Sequence, residues 1–296
     1  MAKRISRGIF LFYLLFLLLP VLWLVWNSVT SAGNTWVESE QAVLFKYLPA
    51  FTFNQFQALF QDRHFLQQYA NSLKISSLSL LMQIPVAVTA GFFLSSWKSR
   101  FSTRIVTIYF IMLLLPFQAI MLPVYQLSLA TKTYNTHTAL ILFNAFTPLG
   151  TAAMYLLFGT IEKEHWEAAL LETSSSIKLL YYVLLPQIRT GLAAIAVLLF
   201  VDTWNQVEQP LMLLSDSRLM PLSLTLNDIY SVSDGKIFAG ALSYSLPIIF
   251  VHLIIVICVL VRKKSSKRDL LDNMTMQIDH NKSSEESYTV QSKNLS

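Results

Sequence analysis

The chain is most constrained by the places where its charges are missing. Between Gly8 and Val37, Ile75 and Trp97, Ile105 and Thr131, Thr133 and Ile161, and Ile237 and Val261 there is no Lys, Arg, Asp or Glu, and these five stretches run from 23 to 30 residues. A sixth, 190–215, carries only Asp202 and Glu208. About 20 apolar residues cross roughly 30 Å of hydrocarbon at 1.5 Å per residue. Each stretch is therefore long enough to cross once and too short to cross twice. Lipid cannot solvate bare peptide groups, so a lone crossing segment must close its own hydrogen bonds as a helix. The pattern predicts an all-α integral membrane protein with six transmembrane helices, at 8–29, 73–95, 105–127, 139–160, 191–213 and 241–261.

Composition closes off the other classes. Charged residues make up 13%, where a soluble domain carries about a quarter. Apolar residues make up 54%, which excludes a disordered chain, and 8 Gly with 1 Cys exclude collagen-like and disulfide-framework proteins. That one cysteine, Cys258, falls in the last span and reads as a packing residue. There is no glycine-rich phosphate loop and no metal-ligand spacing, so the reading has no enzyme activity, no catalytic residues, no metal and no nucleic-acid partner.

Orientation follows from the basic residues, which mark the cytoplasmic side. Sixteen of the 22 Lys and Arg lie in 1–7, 96–104, 161–189 and the tail after 261. Both termini are therefore expected in the cytoplasm. The first span is too long for a signal-peptide core and reads as an uncleaved anchor. Outside the membrane lie 30–72, with an expected amphipathic helix around Phe56 to Tyr69 whose aromatics suit an interface, and 214–240. The tail 262–296 is polar. Pro85, Pro116, Pro123, Pro148, Pro210 and Pro247 are candidate kinks or packing irregularities in or near spans.

The longest cytoplasmic connection, 161–189, carries the most information. Glu162 to Leu171 suits a short helix, with Trp166, Ala169 and Leu170 on one face. Ser174, Ser175 or Ser176 can cap a second helix, which Pro186 is expected to interrupt or end. Two short helices along the membrane's inner face offer another protein a grip. Glu167-Ala168-Ala169, Glu172 and Leu185-Pro186, with Glu167 and Pro186 nineteen positions apart, resemble the EAA loop of binding-protein-dependent ABC importer permeases. Asn71-Ser72-Leu73, Leu115-Pro116, Pro123-Val124-Tyr125 and Trp204-Asn205-Gln206 are similar to maltose-type carbohydrate permeases. The resemblance covers Phe51 to Arg262.

This resemblance implies a type I ABC importer permease fold in the bacterial cell membrane. It also implies partners: a second permease subunit, an ATPase dimer docked through 161–189, an extracellular solute-binding protein and the lipid bilayer. ATP would be used by the ATPase subunits, with no cofactor bound by this chain. The coupling residues would be Glu167, Ala168, Ala169, Leu170, Glu172, Thr173 and Pro186. The small alanines permit close approach, and the Glu167 carboxylate can pair with a basic group. The chain departs from the family at Glu172-Thr173, where Asp-Gly is usual, and at Thr190, where Pro is common. Thr173 cannot reach the turn geometry of Gly cheaply, which puts the turn more in question than the docking.

Within the fifth span, Asp202 and Glu208 stand six apart and need not share a face. With Trp204 and Asn205 they are candidates for lining a translocation pathway, an apolar face and an amide being suited to sugar. Alternatively the acids lie at the outer mouth or pair with a partner subunit. The expected function is import of a carbohydrate, with oligosaccharide favoured. Glycerol-phosphate or another polyol-like solute, an ion-gradient-driven secondary transporter with Asp202 and Glu208 as ion site, and a non-transporting scaffold are the alternatives.

Overall fold

A computed structural model describes residues 2–30, 51–97, 99–162, 164–167, 175–224, 236–254 and 256–257. The packing reported below is that of the first of two units, which ends at Ile249. Helix α1, Ala2–Val29, leads to an isolated bridge between Thr30 and Phe51. The short α2, Asn54–Gln61, follows, then α3, Arg63–Ser96, which opens where the Asp62 carboxylate accepts a hydrogen bond from the His64 N–H at 2.9 Å. Next come α4, Arg100–Leu114, and α5, Phe117–Ala130, then α6, His137–Ala145, and α7, Pro148–Phe158. Helix α8 spans Ser176–Trp204, α9 Glu208–Leu213 and α10 Lys236–Ile254.

Among the described residues, α3, the α6–α7 pair, α8 and α10 are each long and apolar enough to cross a bilayer. The α4–α5 pair makes a fifth if it is one span. The expected first span falls on α1. Several expected rods differ in form. The 105–127 segment bends by 102° between α4 and α5. Proline forces its predecessor out of the helical region, and Leu115 is extended at ψ 129°. The 139–160 segment breaks at Phe146–Thr147 and restarts with Pro148 in the first turn, where its missing N–H costs nothing. Pro85 and Pro123 lie inside continuous helices. The 191–213 segment belongs to a helix that starts at Ser176 and stops at Trp204, so Glu208 stands on a separate element. The amphipathic helix expected over Phe56–Tyr69 is divided at Asp62, and its Phe65 is buried with Leu59 against Leu222 and Ala239 instead of lying in an interface.

Helix α3 is the central element, packed against α6, α7 and α8. Ile75 meets Leu140 near its start and Phe92 meets Phe158 near its end, so α6 and α7 run alongside it in the same direction. Helix α8 runs back, with Leu184 and Ile188 beside Val88 and Phe92, and Trp204 against Tyr69. Small and polar residues allow close approach, as membrane packing favours. A Cβ on Gly91 would lie 2.7 Å from Met154 Cβ and 2.9 Å from Tyr155 N. Buried Asn144 Nδ2 donates to Ser79 Oγ at 3.1 Å, and Gln83 Nε2 donates to Thr147 Oγ1 at 3.0 Å.

Candidate coupling site and pathway residues

One end of the bundle carries Trp97, Ser99, 159–162, 164–167 and 175–178, which include the described start of the predicted coupling loop. Residues 164–167 are helical, and Trp166 N–H reaches the Glu162 carbonyl at 3.2 Å. The Trp166 ring stacks on Phe92 of α3, with centroids 6.0 Å apart and planes 14° from parallel. It thereby joins a cluster built from α3 (Ala87, Val88, Phe92), α7 (Met154, Phe158) and α8 (Leu179, Leu180, Leu184, Ile188). Glu167, the next residue, is exposed. One residue of the loop is thus fastened to the core while its neighbour faces outward. Ala168, Ala169, Leu170, Glu172 and Thr173 lie outside the described residues.

The loop re-enters at Ser175, whose hydroxyl accepts a hydrogen bond from the Lys178 N–H. Ser175 is one of the three cap candidates read from the sequence. The second helix does not end at Pro186, however. Leu179–Leu184 forms a π-helical turn, and α8 continues through Leu185 and Pro186. The Leu185 N–H bonds to the Leu180 carbonyl, five residues back, and the wider turn accommodates the proline that follows. Nothing in the loop's composition announces this turn.

The four pathway candidates gather near the other end of α8 but have unlike surroundings. Trp204 is 1% exposed, lying between Phe200, Tyr69 and Tyr244, so it offers no face to an open path within this chain. Asn205 is exposed; its Oδ1 accepts from the Tyr244 hydroxyl at 2.9 Å, as does the Trp204 carbonyl. Asp202 is exposed on α8. Glu208 is exposed at the start of α9, and its Oε1 accepts from Gln118 Nε2 of α5 at 2.7 Å. The sequence reading missed Gln118, whose only signal is an amide placed two residues beyond Pro116.

The same end is organised by side chains that bond main-chain carbonyls and N–H groups. Gln67 and Asn71 donate to the Arg218 carbonyl at 3.0 and 2.8 Å, and Asn71 also to that of Met220. Asn135, with a left-handed φ of 58°, uses one oxygen to accept from the N–H groups of Ser215 and Asp216. The Leu222 N–H is held by Ser72 Oγ at 2.8 Å. Arg218 binds the Asp216 carboxylate at 2.8 Å, and those hydrogen bonds, with its charge, hold the carboxyl below its ordinary range.

Fold and site together define a multi-pass helical membrane protein with an outward-facing loop seated on its helical core. Residues 83–261 match the family described as binding-protein-dependent transport system inner membrane component, and the chain belongs to that family. It is 26% identical over 188 residues to the lactose transport system permease protein LacG of Rhizobium radiobacter, covering 61% of this chain and 67% of that one. It is 23% identical over 260 residues to the diacetylchitobiose uptake system permease protein NgcG of Streptomyces coelicolor, covering 84% and 83%. A crystal structure of a bacterial ABC transporter involved in import of the acidic polysaccharide alginate contains a chain of the same fold. Its TM-score is 0.70 at 18% identity, over 85% of this chain and 94% of that one.

Proposed function

We propose that this chain is one permease subunit of an ATP-driven importer of a carbohydrate, with an oligosaccharide favoured. In this reading a second permease completes the path, a solute-binding protein delivers the sugar from outside, and an ATPase dimer grips the 161–189 loop. The loop end and both termini then face the cytoplasm. The chain contributes no catalysis, since ATP is consumed by its partners. Family membership and the sugars named for its relatives support the reading.

The observation that carries it is the seating of Trp166 on Phe92 beside an exposed Glu167. A displacement imposed on the loop reaches α3, α7 and α8 together, because close-packed interiors move as units and do not deform continuously. Nucleotide-driven closure of the ATPases supplies the differential free energy between inward-open and outward-open states. Ala168, Ala169, Leu170, Glu172 and Thr173 complete the docking hook, and Pro186 marks where it joins the span. Asp202 and Glu208 belong to the pathway or its mouth, Asn205 beside them, with Trp204 as their buried support.

Glu167→Lys replaces the carboxylate that pairs with a basic group on the ATPase. Uptake and ATPase co-purification are expected to be lost while the variant still reaches the membrane. Retained uptake would overturn the coupling assignment.

A further inference from the structure

We propose that the cleft between α5 and α9 is a sugar-contacting wall of this subunit, and that it selects neutral over anionic solutes. The proposal rests on the importer reading and deepens it by naming the contacting residues and the charge class. The cleft is lined by Gln118, Met121, Leu122, Tyr125, Leu211 and Met212 and has a volume of about 480 Å³, within the usual range for small-molecule sites.

Two observations set the cleft away from lipid. The first is the 102° break between α4 and α5, which leaves Leu115 and Pro116 non-helical in the middle of a segment long enough to span. Irregular backbone at membrane depth is tolerated only inside protein or along a water-filled cavity. Gln118 lies in the first turn beyond that break. The second is the exposed Glu208–Gln118 pair, held at 2.7 Å. A carboxylate and an amide turned to acyl chains would be costly, so this face belongs to an aqueous or protein-lined space.

The chemistry then points to a sugar. Gln118 occupies one acceptor position of Glu208, and the carboxylate retains its second oxygen, while the amide retains another N–H and its carbonyl. Side by side, they match the alternating donors and acceptors of vicinal hydroxyls. Met121, Met212 and Tyr125 supply apolar surface for the C–H face of a ring. None of the six lining residues is cationic. A phosphorylated or uronate solute would therefore meet the charge of Glu208, bonded to the lining Gln118, with no cation among those six residues to balance it.

The test uses the full complex of both permeases, ATPase and binding protein in proteoliposomes, with Leu122→Cys introduced in a Cys258→Ser background. A membrane-impermeant thiol reagent is expected to label position 122, and lactose or diacetylchitobiose, whichever the wild type transports, is expected to slow the labelling. Gln118→Ala should lower uptake of that sugar about tenfold, the loss expected for a hydrogen bond within a charged pair. Glu208→Gln should narrow the preference for that sugar over an alginate disaccharide. Pull-down of the partners should remain intact for both variants. Failure of the reagent to label the Leu122→Cys complex, showing lipid or a partner subunit in the cleft, would overturn the proposal. So would labelling without sugar protection, or wild-type uptake and selectivity in both variants. A wild-type complex that moves no sugar with ATP would instead overturn the importer reading itself.

Discussion

At the loop end, α3, α7 and α8 meet through apolar side chains and a glycine crossing, with Phe92 touching Phe93, Phe158 and Trp166. At the opposite end, side-chain amides and a hydroxyl from α3 and the α5–α6 turn, with the His137 imidazole of α6 against the Leu219 carbonyl, hold the 205–223 connection by its main chain. The first arrangement is insensitive to water and stiff against compression. The second consists of bonds that water can replace one at a time, each worth about 1 kcal/mol net. An importer that receives force at one end and exchanges solute at the other needs that division. In the proposed reading the stiff joint would transmit the stroke, while a hydrogen-bonded rim can rearrange without exposing apolar surface.

The largest expected effect comes from breaking the stiff end at its narrowest point. Gly91→Ala sets a methyl against the Met154 and Tyr155 backbone, which cannot turn aside. It should cost about 1–3 kcal/mol, the range for overpacking, read as a lower melting temperature in detergent. Gly191→Ala sharpens the point. The three atoms nearest its Cβ would all belong to the Leu157 side chain, one methyl at 2.3 Å, and that flexible end can move. A drop as large as that of Gly91→Ala would show that the α3–α7 crossing has no special stiffness.

Next in size is Trp166→Ala, which removes a stacked pair worth roughly 0.5–1.5 kcal/mol beyond its buried area. Coupled ATPase activity should fall by more than the melting temperature suggests, since the loop loses its seat while the core persists. Equal losses in both would mean that the ring is only core packing.

At the hydrogen-bonded rim, Asn135→Gly keeps the left-handed turn but removes the acceptor of Ser215 and Asp216. The expected cost is about 1–2 kcal/mol for two exposed-side bonds, seen as faster amide exchange at 214–219. Asn135→Ala should cost more, because alanine also resists that φ. The smallest effect is the Asp216–Arg218 turn. Its carboxyl is held below the ordinary range, so its stabilising contribution is present above that range and fades as pH falls through the lowered value. The protection of amides 216–219, exchange rate taken relative to the free peptide at the same pH, should fall only in acid, and Asp216→Asn should remove that pH dependence of protection.

The sequence revealed spans more reliably than their shapes. Charge-free length is dictated by the bilayer, and α3 and α10 overlap the expected 73–95 and 241–261, whereas α8 starts at Ser176 and shares the expected 191–213 only as far as Trp204. The bend at Leu115–Pro116 was legible only as a proline, because whether a proline kinks, breaks or is absorbed depends on what packs around it. Pro85 and Pro123 are absorbed, whereas Pro116 is not. The motif singles out Glu167 as an expectation, but the anchoring of its neighbour Trp166 on Phe92 has no signal in the sequence, since that contact joins residues 74 positions apart. Trp204 had the composition of a sugar platform, yet three aromatic neighbours enclose it, two of them from other helices. Gln118 acquired meaning only when α9 folded back beside it.

The π-turn at Leu179–Leu184 sets a rule for exchanging parts between relatives. Each residue of a helix advances its azimuth by about 100°, so the surplus residue housed in that turn fixes the phase between Ser176–Lys178 and every side chain further along α8. A chimera joined upstream of the turn with an ordinary helix would aim Ile188, Leu199 and Trp204 at the wrong neighbours. A graft carried through Pro186 would keep the two in step.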